Sequence, residues 1–193
     1  MYSELLGIVL AGGRSSRMGR NKASLIHPSK KQSMLTVQQM LLAEVGCENV
    51  VTSGANNNGI KDKVAQVGPL MGICTIVEKY QPKAVVALAI DMPFLKEQDL
   101  RHIIENGYHH SKATCFAGHP FPLYLPITER LTHFFKTHFE NCSESQKGPS
   151  LKQLFKTIGV QELVADEPRR LFNANTPEHW SEVTLELEQI GNV

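Results

Sequence analysis

The sequence predicts an α/β fold in three layers, with a mostly parallel sheet covered by helices on both faces. Two observations carry this. Leu5–Ala11 (LLGIVLA) and Ala84–Ile90 (AVVALAI) are continuous apolar runs, as strands buried on both sides read; a strand with one wet face would alternate instead. Around them lie stretches with apolar residues at helical spacing, and such strand–helix alternation marks parallel pairing through crossover helices.

Taken in order, Leu5–Ala11 ends at Gly12–Gly13. Helical spacing resumes at about Ser33, through Met34, Leu35, Val37, Met40, Leu41 and Val45, with Gly46 as the stop. Val50–Ser53 is a short β-rich run before the polar loop Gly54–Gly59, and Met71–Gln81 is helical up to Pro82. Ala84–Ile90 runs into Asp91-Met92-Pro93-Phe94. A helix follows over Lys96–Asn106, with Leu100, Ile103 and Ile104 inward and Gly107 as its stop. Thr114–Phe116 and Pro122–Leu125 read as strands, and Thr128–His138 as a helix. Leu131, Phe134, Phe135 and Phe139 at helical spacing form a core stripe there. Asn141–Pro149 is a polar loop, Ser150–Ile158 a short helix and Val160–Val164 a strand. The last helix has Thr176 as N-cap, Pro177 at its first position and Glu178 in its first turn.

The chain has 193 residues, 20 Lys+Arg against 19 Asp+Glu, and 41% hydrophobic residues. That length suits one domain, 1–193, and buries on the order of 70% of the unfolded surface without a metal or disulfide staple. A net charge of +1 gives no global signal for nucleic acid or a membrane surface. The charge is unevenly placed, however. No acidic residue occurs between Glu4 and Glu44, while Arg14, Arg17, Arg20, Lys22, Lys30 and Lys31 all fall there. A basic segment on a neutral chain points to a local anionic ligand. No apolar run approaches a membrane span, and the start lacks the basic region of a signal peptide. Cys47, Cys74, Cys115 and Cys142 form no CxxC pair and read as reduced thiols, so a cytoplasmic location is expected.

In such sheets ligands bind beyond the carboxyl ends of strands, and two ends carry chemistry. After the first strand, Gly12 and Gly13 let backbone N–H groups approach an anion. Ser15 and Ser16 add hydroxyls, and Arg14, Arg17 and Lys22 add charge. This is a nucleotide-phosphate site in chemical terms, although its spacing matches neither a dinucleotide fingerprint nor a P-loop. After the second long run stands Asp91, a carboxylate at the mouth of the sheet. It can hold Mg²⁺ with one or two protein ligands, the remainder being water and phosphate oxygens. No His-rich spacing suggests zinc, and no Gly-x-Ser-x-Gly elbow or basic-flanked cysteine offers a nucleophile.

Leu10-Ala11-Gly12-Gly13-Arg14-Ser15-Ser16-Arg17-Met18-Gly19-Arg20-Asn21-Lys22 resembles the signature of nucleotidyltransferases with the nucleotide-diphospho-sugar transferase fold. Among these the bacterial molybdenum cofactor guanylyltransferases are most similar. Three more blocks agree, in family order: Gly68-Pro69-Leu70-Met71-Gly72, Asp91-Met92-Pro93-Phe94, and Phe172-Asn173-Ala174-Asn175-Thr176-Pro177-Glu178. The resemblance implies a Rossmann-like sheet of that type. It also implies Mg²⁺-dependent transfer of GMP from GTP to the phosphate of molybdopterin, with release of pyrophosphate. By the same resemblance Leu10, Ala11, Gly12, Gly13, Lys22, Ser53, Asp62, Gly72 and Asp91 bind the nucleotide. Arg17, Lys22 and Asp91 carry the chemistry, Asp91 takes the metal, and Asn173 and Asn175 face the acceptor or brace the metal loop. Transient contacts with other cofactor-biosynthesis proteins or apoenzymes are implied as well.

The sequence departs from the family pattern at Asn21, where an Asp commonly precedes the lysine and would orient it. It departs also in the segment before Gly68, where Asp62 is the acidic residue on offer, and at Ser53, where the family often has asparagine. Two alternatives stay open at this level: a cytidylyl or sugar-phosphate nucleotidyltransferase of the same fold, and a non-catalytic nucleotide-binding protein.

Overall fold

The computed structural model describes residues 4–12, 18–55, 58–65, 67–140, 142 and 148–191. The strands are β1 (Leu5–Leu10), β2 (Asn49–Ser53), β3 (Ala84–Ala89), β4 (Thr114–Phe116), β5 (His119–Pro126) and β6 (Gln161–Leu163). The helices are α1 (Met34–Glu44), α2 (Pro69–Tyr80), α3 (Glu97–His110), α4 (Glu129–Phe139), α5 (Leu151–Ile158) and α6 (Pro177–Gly191). Short 3₁₀ turns occupy Lys22–Ser24 and Pro168–Leu171.

All six strands join one sheet in the order β2-β1-β3-β5-β4-β6. Pairing is parallel between β1 and β2, β1 and β3, and β4 and β6; β5 alone runs against its neighbours β3 and β4. The sheet is thus mostly parallel, as the apolar runs predict. Alternate residues of each central strand feed opposite faces. Leu6, Ile8, Leu10, Val85 and Ala87 pack with α2, α4 and α5, whereas Leu5, Val9, Val86 and Leu88 pack with α1 and α3. Ile8, Val9, Val86 and Leu88 are fully buried, the state their unbroken apolar sequence requires. Leu131, Phe134, Phe135 and Phe139 of α4 lie inward as expected. Cys47, Cys74 and Cys115 are buried thiols, and burial pushes Cys47 and Cys74 up to about 12 and Cys115 to about 11.

The end of α3 differs from the sequence reading. Gly107 does not stop α3, which continues to His110 and ends at Ser111 in the left-handed region (φ 50°). Gly107 lies where the helix presses on β5, and a Cβ there would overlap the Tyr124 ring. It is a packing glycine: the missing Cβ permits close approach to β5 and does not end the helix.

β1 is flanked by β2 and β3 with Leu10 in register with both Ser53 and Ala89. The carboxyl ends of these three strands therefore open at one place, with β2 and β3 on opposite sides of β1. Beyond them a small third cluster, Phe94, Ala174 and Val183 with Phe172, Trp180 and Leu187, fastens the loop after β3 to the approach to α6. No helix among the described residues is long and apolar enough to cross a membrane.

Candidate active site

Asp91 follows β3 at this shared rim. Its main chain is held first: the Asp91 carbonyl accepts from Ala174 N at 2.8 Å, which ties the β3 exit to the segment before α6. Its carboxylate is then gripped from two sides. Asn173 Nδ2 donates to Oδ1 at 2.8 Å, and Lys22 Nζ donates to Oδ2 at 2.8 Å. The same ammonium donates to Asn175 Oδ1, also at 2.8 Å. Lys22 and Asp91 are only 13% and 14% exposed, so their attraction is less screened than a surface pair's.

Lys22 reaches this position from the short 3₁₀ turn at Lys22–Ser24. Asn21 caps that turn, its side chain accepting from Ala23 N at 3.1 Å. An amide oxygen serves as well as a carboxylate for this cap. The departure at Asn21 therefore leaves the lysine fixed, and Asp91 and Asn175 supply its orientation.

The loop after Asp91 is pinned from behind by two side chains that sequence reasoning did not select. Gln38, 1% exposed on the inner face of α1, donates from Nε2 to the Met92 carbonyl at 2.8 Å. His27 donates from Nε2 to the Pro93 carbonyl at 2.9 Å, while its Nδ1 accepts from Lys30 N at 3.1 Å. With one nitrogen donating and the other accepting, His27 is held as the neutral Nε2–H tautomer. Burial lowers its pKa, against the Pro93 hydrogen bond and with the nearby Lys30 charge. Gln38 left a signal, a polar residue four positions after Met34 on the buried stripe of α1; His27 left none. Arg169 adds an outer clamp, its guanidinium 4.8 Å from the Phe94 ring centre and 4.3 Å from that of Phe172, with Glu182 and Glu186 as ion partners.

A second group gathers at the β2 end. Ala11 N donates to the Ser53 carbonyl at 3.0 Å, which carries the β1–β2 ladder one residue past Leu10 towards Gly12. After β2 the chain folds back, and Ile60 bridges Ser53. This return brings Asp62 to Ser53, whose hydroxyl donates to Oδ1 at 3.0 Å. Burial raises the Asp62 pKa, opposed by that hydrogen bond. Gly72 in α2 faces the pair. A Cβ there would overlap the Ser53 hydroxyl and stand 3.1 Å from Asp62 Oδ1, so the position is restricted to glycine. Leu10, Ala11, Gly12, Ser53, Asp62 and Gly72 therefore line one end of the rim, and Lys22, Asp91, Asn173 and Asn175 the other. Gly13 and Arg17 lie outside the described residues.

Among the described residues no three His, Cys, Asp or Glu side chains converge. A single carboxylate beside a lysine fits Mg²⁺, which keeps most of its shell as water and phosphate oxygen; it does not fit a four-ligand zinc cage.

A family model for the MobA-like NTP transferase domain matches residues 7–161. The chain belongs to this family. A molybdenum cofactor guanylyltransferase of Xanthomonas euvesicatoria is 30% identical, over 93% of this chain and 94% of its own. Among solved structures, molybdopterin-guanine dinucleotide biosynthesis protein A of Archaeoglobus fulgidus superposes with a TM-score of 0.70 at 20% identity, covering 95% and 99% of the two chains. A Mycobacterium tuberculosis protein solved as a manganese complex superposes with a TM-score of 0.61 at 17% identity, covering 95% and 99%. The fold is that of the nucleotide-diphospho-sugar transferases, and membership of the MobA-like family makes the protein a nucleotidyltransferase.

Proposed function

We propose that the protein transfers GMP from GTP to the phosphate of molybdopterin, with Mg²⁺ and with release of pyrophosphate. The observation that carries this reading is the meeting of Lys22, Asp91 and two asparagines at the carboxyl rim. The name of the Xanthomonas relative supports the guanylyl and cofactor assignment, and the manganese in the mycobacterial neighbour supports a divalent ion.

The chemistry asks little covalent work of the protein. A phosphate oxygen of the acceptor, already anionic at neutral pH, attacks the α-phosphorus of GTP. The new P–O bond forms as the bond to the β-phosphate bridging oxygen breaks, and the electron pair leaves with pyrophosphate. No general base is needed, so catalysis consists of alignment and charge neutralisation. Lys22 supplies a cation for the triphosphate, and Gly12 with Gly13 present backbone N–H groups to it. Arg17 adds charge for the triphosphate. Asp91 holds the metal, which when bound neutralises phosphate charge. Asn173 fixes the Asp91 carboxylate, and Asn175 accepts from Lys22 Nζ beside it. Leu10, Ala11, Ser53, Asp62 and Gly72 form the nucleoside end, where the lack of a side chain at Gly72 leaves room for the Ser53–Asp62 pair. A cytoplasmic location suits these substrates.

The test is transfer of α-phosphate label from GTP, and separately from CTP, to molybdopterin with Mg²⁺ present. Label moving from GTP alone is expected. Transfer from CTP alone makes the protein a cytidylyl enzyme. No transfer from either, in folded protein that binds nucleotide, refutes the reading.

A further inference from the structure

Four residues at the rim form a closed circuit. Asn173 Nδ2 donates to Asp91 Oδ1 and Lys22 Nζ to Oδ2. Asn175 Oδ1 accepts from that same ammonium, and Asn175 Nδ2 donates to the Asn173 carbonyl at 3.4 Å. The direction of the Asn175 amide is fixed by its partner, because an ammonium only donates and so must face the oxygen. Lys22 is thus held on Asp91 by a third residue that touches the carboxylate nowhere.

A Mg²⁺ ligated by a carboxylate sits about 2.0–2.1 Å from its oxygen. Lys22 Nζ at 2.8 Å from Oδ2 fills that space, and two cations on one shielded oxygen repel. We propose that Asn175 is a positioning residue that parks Lys22 on Asp91, so that Lys22 and a divalent cation compete for this carboxylate. Nucleotide phosphates, by drawing Lys22 away, then open Asp91 to the metal. The inference rests on the reading of Asp91 as the metal carboxylate. Its consequence is positive coupling: metal binds weakly alone and tightly with nucleotide, and by linkage nucleotide binds more tightly with metal. A site arranged this way resists loading by metal until the substrate that needs it is present.

The experiment is Mn²⁺ binding followed by electron paramagnetic resonance, without nucleotide and with guanosine 5′-[α,β-methylene]triphosphate. The proteins are the wild type, Lys22→Met, Asn175→Ala and Asp91→Asn. Without nucleotide, Lys22→Met is expected to tighten Mn²⁺ by roughly tenfold to a hundredfold, the usual span of a coupling between two ligands. Asn175→Ala should tighten it by a smaller factor, and both should shrink the gain that the analogue brings. A merely structural role predicts the opposite sign, since a damaged site loses metal. Unchanged or weaker Mn²⁺ binding in both variants, with Asp91→Asn still abolishing it, overturns the competition and leaves Asp91 as the metal ligand. Mn²⁺ binding that survives Asp91→Asn overturns the metal assignment itself and the competition with it.

Discussion

Replacing Gln38 with methionine isolates one hydrogen bond of the loop behind Asp91. The side chain keeps its length and stays on the buried face of α1, but the Met92 carbonyl loses its donor. A buried carbonyl left without a partner costs about 1–3 kcal/mol. Against this, Gln38 Oε1 is buried with no partner, and removing it recovers about 1 kcal/mol. The difference is a net loss of about 1 kcal/mol, which for a chain of this size lowers Tm by about 2–4 °C. The consequence for activity is larger than for stability, because Met92 directly follows Asp91 and its release lets the carboxylate move relative to Lys22. Turnover with Mg²⁺ is expected to fall about tenfold, equivalent to about 1.4 kcal/mol in the barrier. Urea unfolding and steady-state transfer on the same preparations read the two effects separately. Full turnover in Gln38→Met, whatever its stability, refutes the idea that α1 positions the metal loop.

Two further predictions follow from the same packing. His27 has a depressed pKa in the folded protein, so the unfolded chain binds more protons just below the usual value of 6.5. Its contribution to stability is present above 6.5 and is lost as pH falls through 6.5 towards the folded pKa. His27→Gln, which can keep both hydrogen bonds, should remove that component; stability profiles that run parallel for the two proteins between about pH 5 and 7 would contradict it. Gly72→Ala should gain helix propensity in α2 yet force the Ser53–Asp62 pair apart, weakening GTP binding by about tenfold, or about 1.4 kcal/mol. Calorimetric titration giving wild-type affinity would detach Gly72 from the nucleotide end.

What the sequence revealed and what it concealed divide along physical lines. β1 and β3 were legible because burial on both faces demands an unbroken apolar run, and Asp91 stood out as the first charge after one. β4 falls at Thr114–Phe116 as read, but β5 begins at His119, three residues before the expected start, since Pro120 reads as a breaker and is tolerated there. The reversed direction of β5 leaves no mark in residue types, because direction is set by pairing across the sheet. The same holds for the candidate site. Lys22, Asp91 and Asn175 each lay in a visible motif, but their contacts span 69 and 153 positions and could not be read locally. Asn173 and Asn175 were open to two roles, acceptor contact or support of the metal loop. In the structure Asn173 bonds to Asp91 and Asn175 to Lys22. His27 remained hidden because its neighbours in sequence say nothing of the Pro93 carbonyl it meets.

The central claim is that the carboxylate of Asp91, set against Lys22 at the strand ends, is where nucleotidyl transfer occurs. Asp91→Asn keeps the shape of the side chain and removes its charge, and thermal unfolding shows whether the fold is retained. Mg²⁺-dependent pyrophosphate release from GTP and molybdopterin is expected to fall by roughly a thousandfold or more in the folded variant. Release within a few-fold of wild type would contradict it and place the transfer elsewhere on the rim.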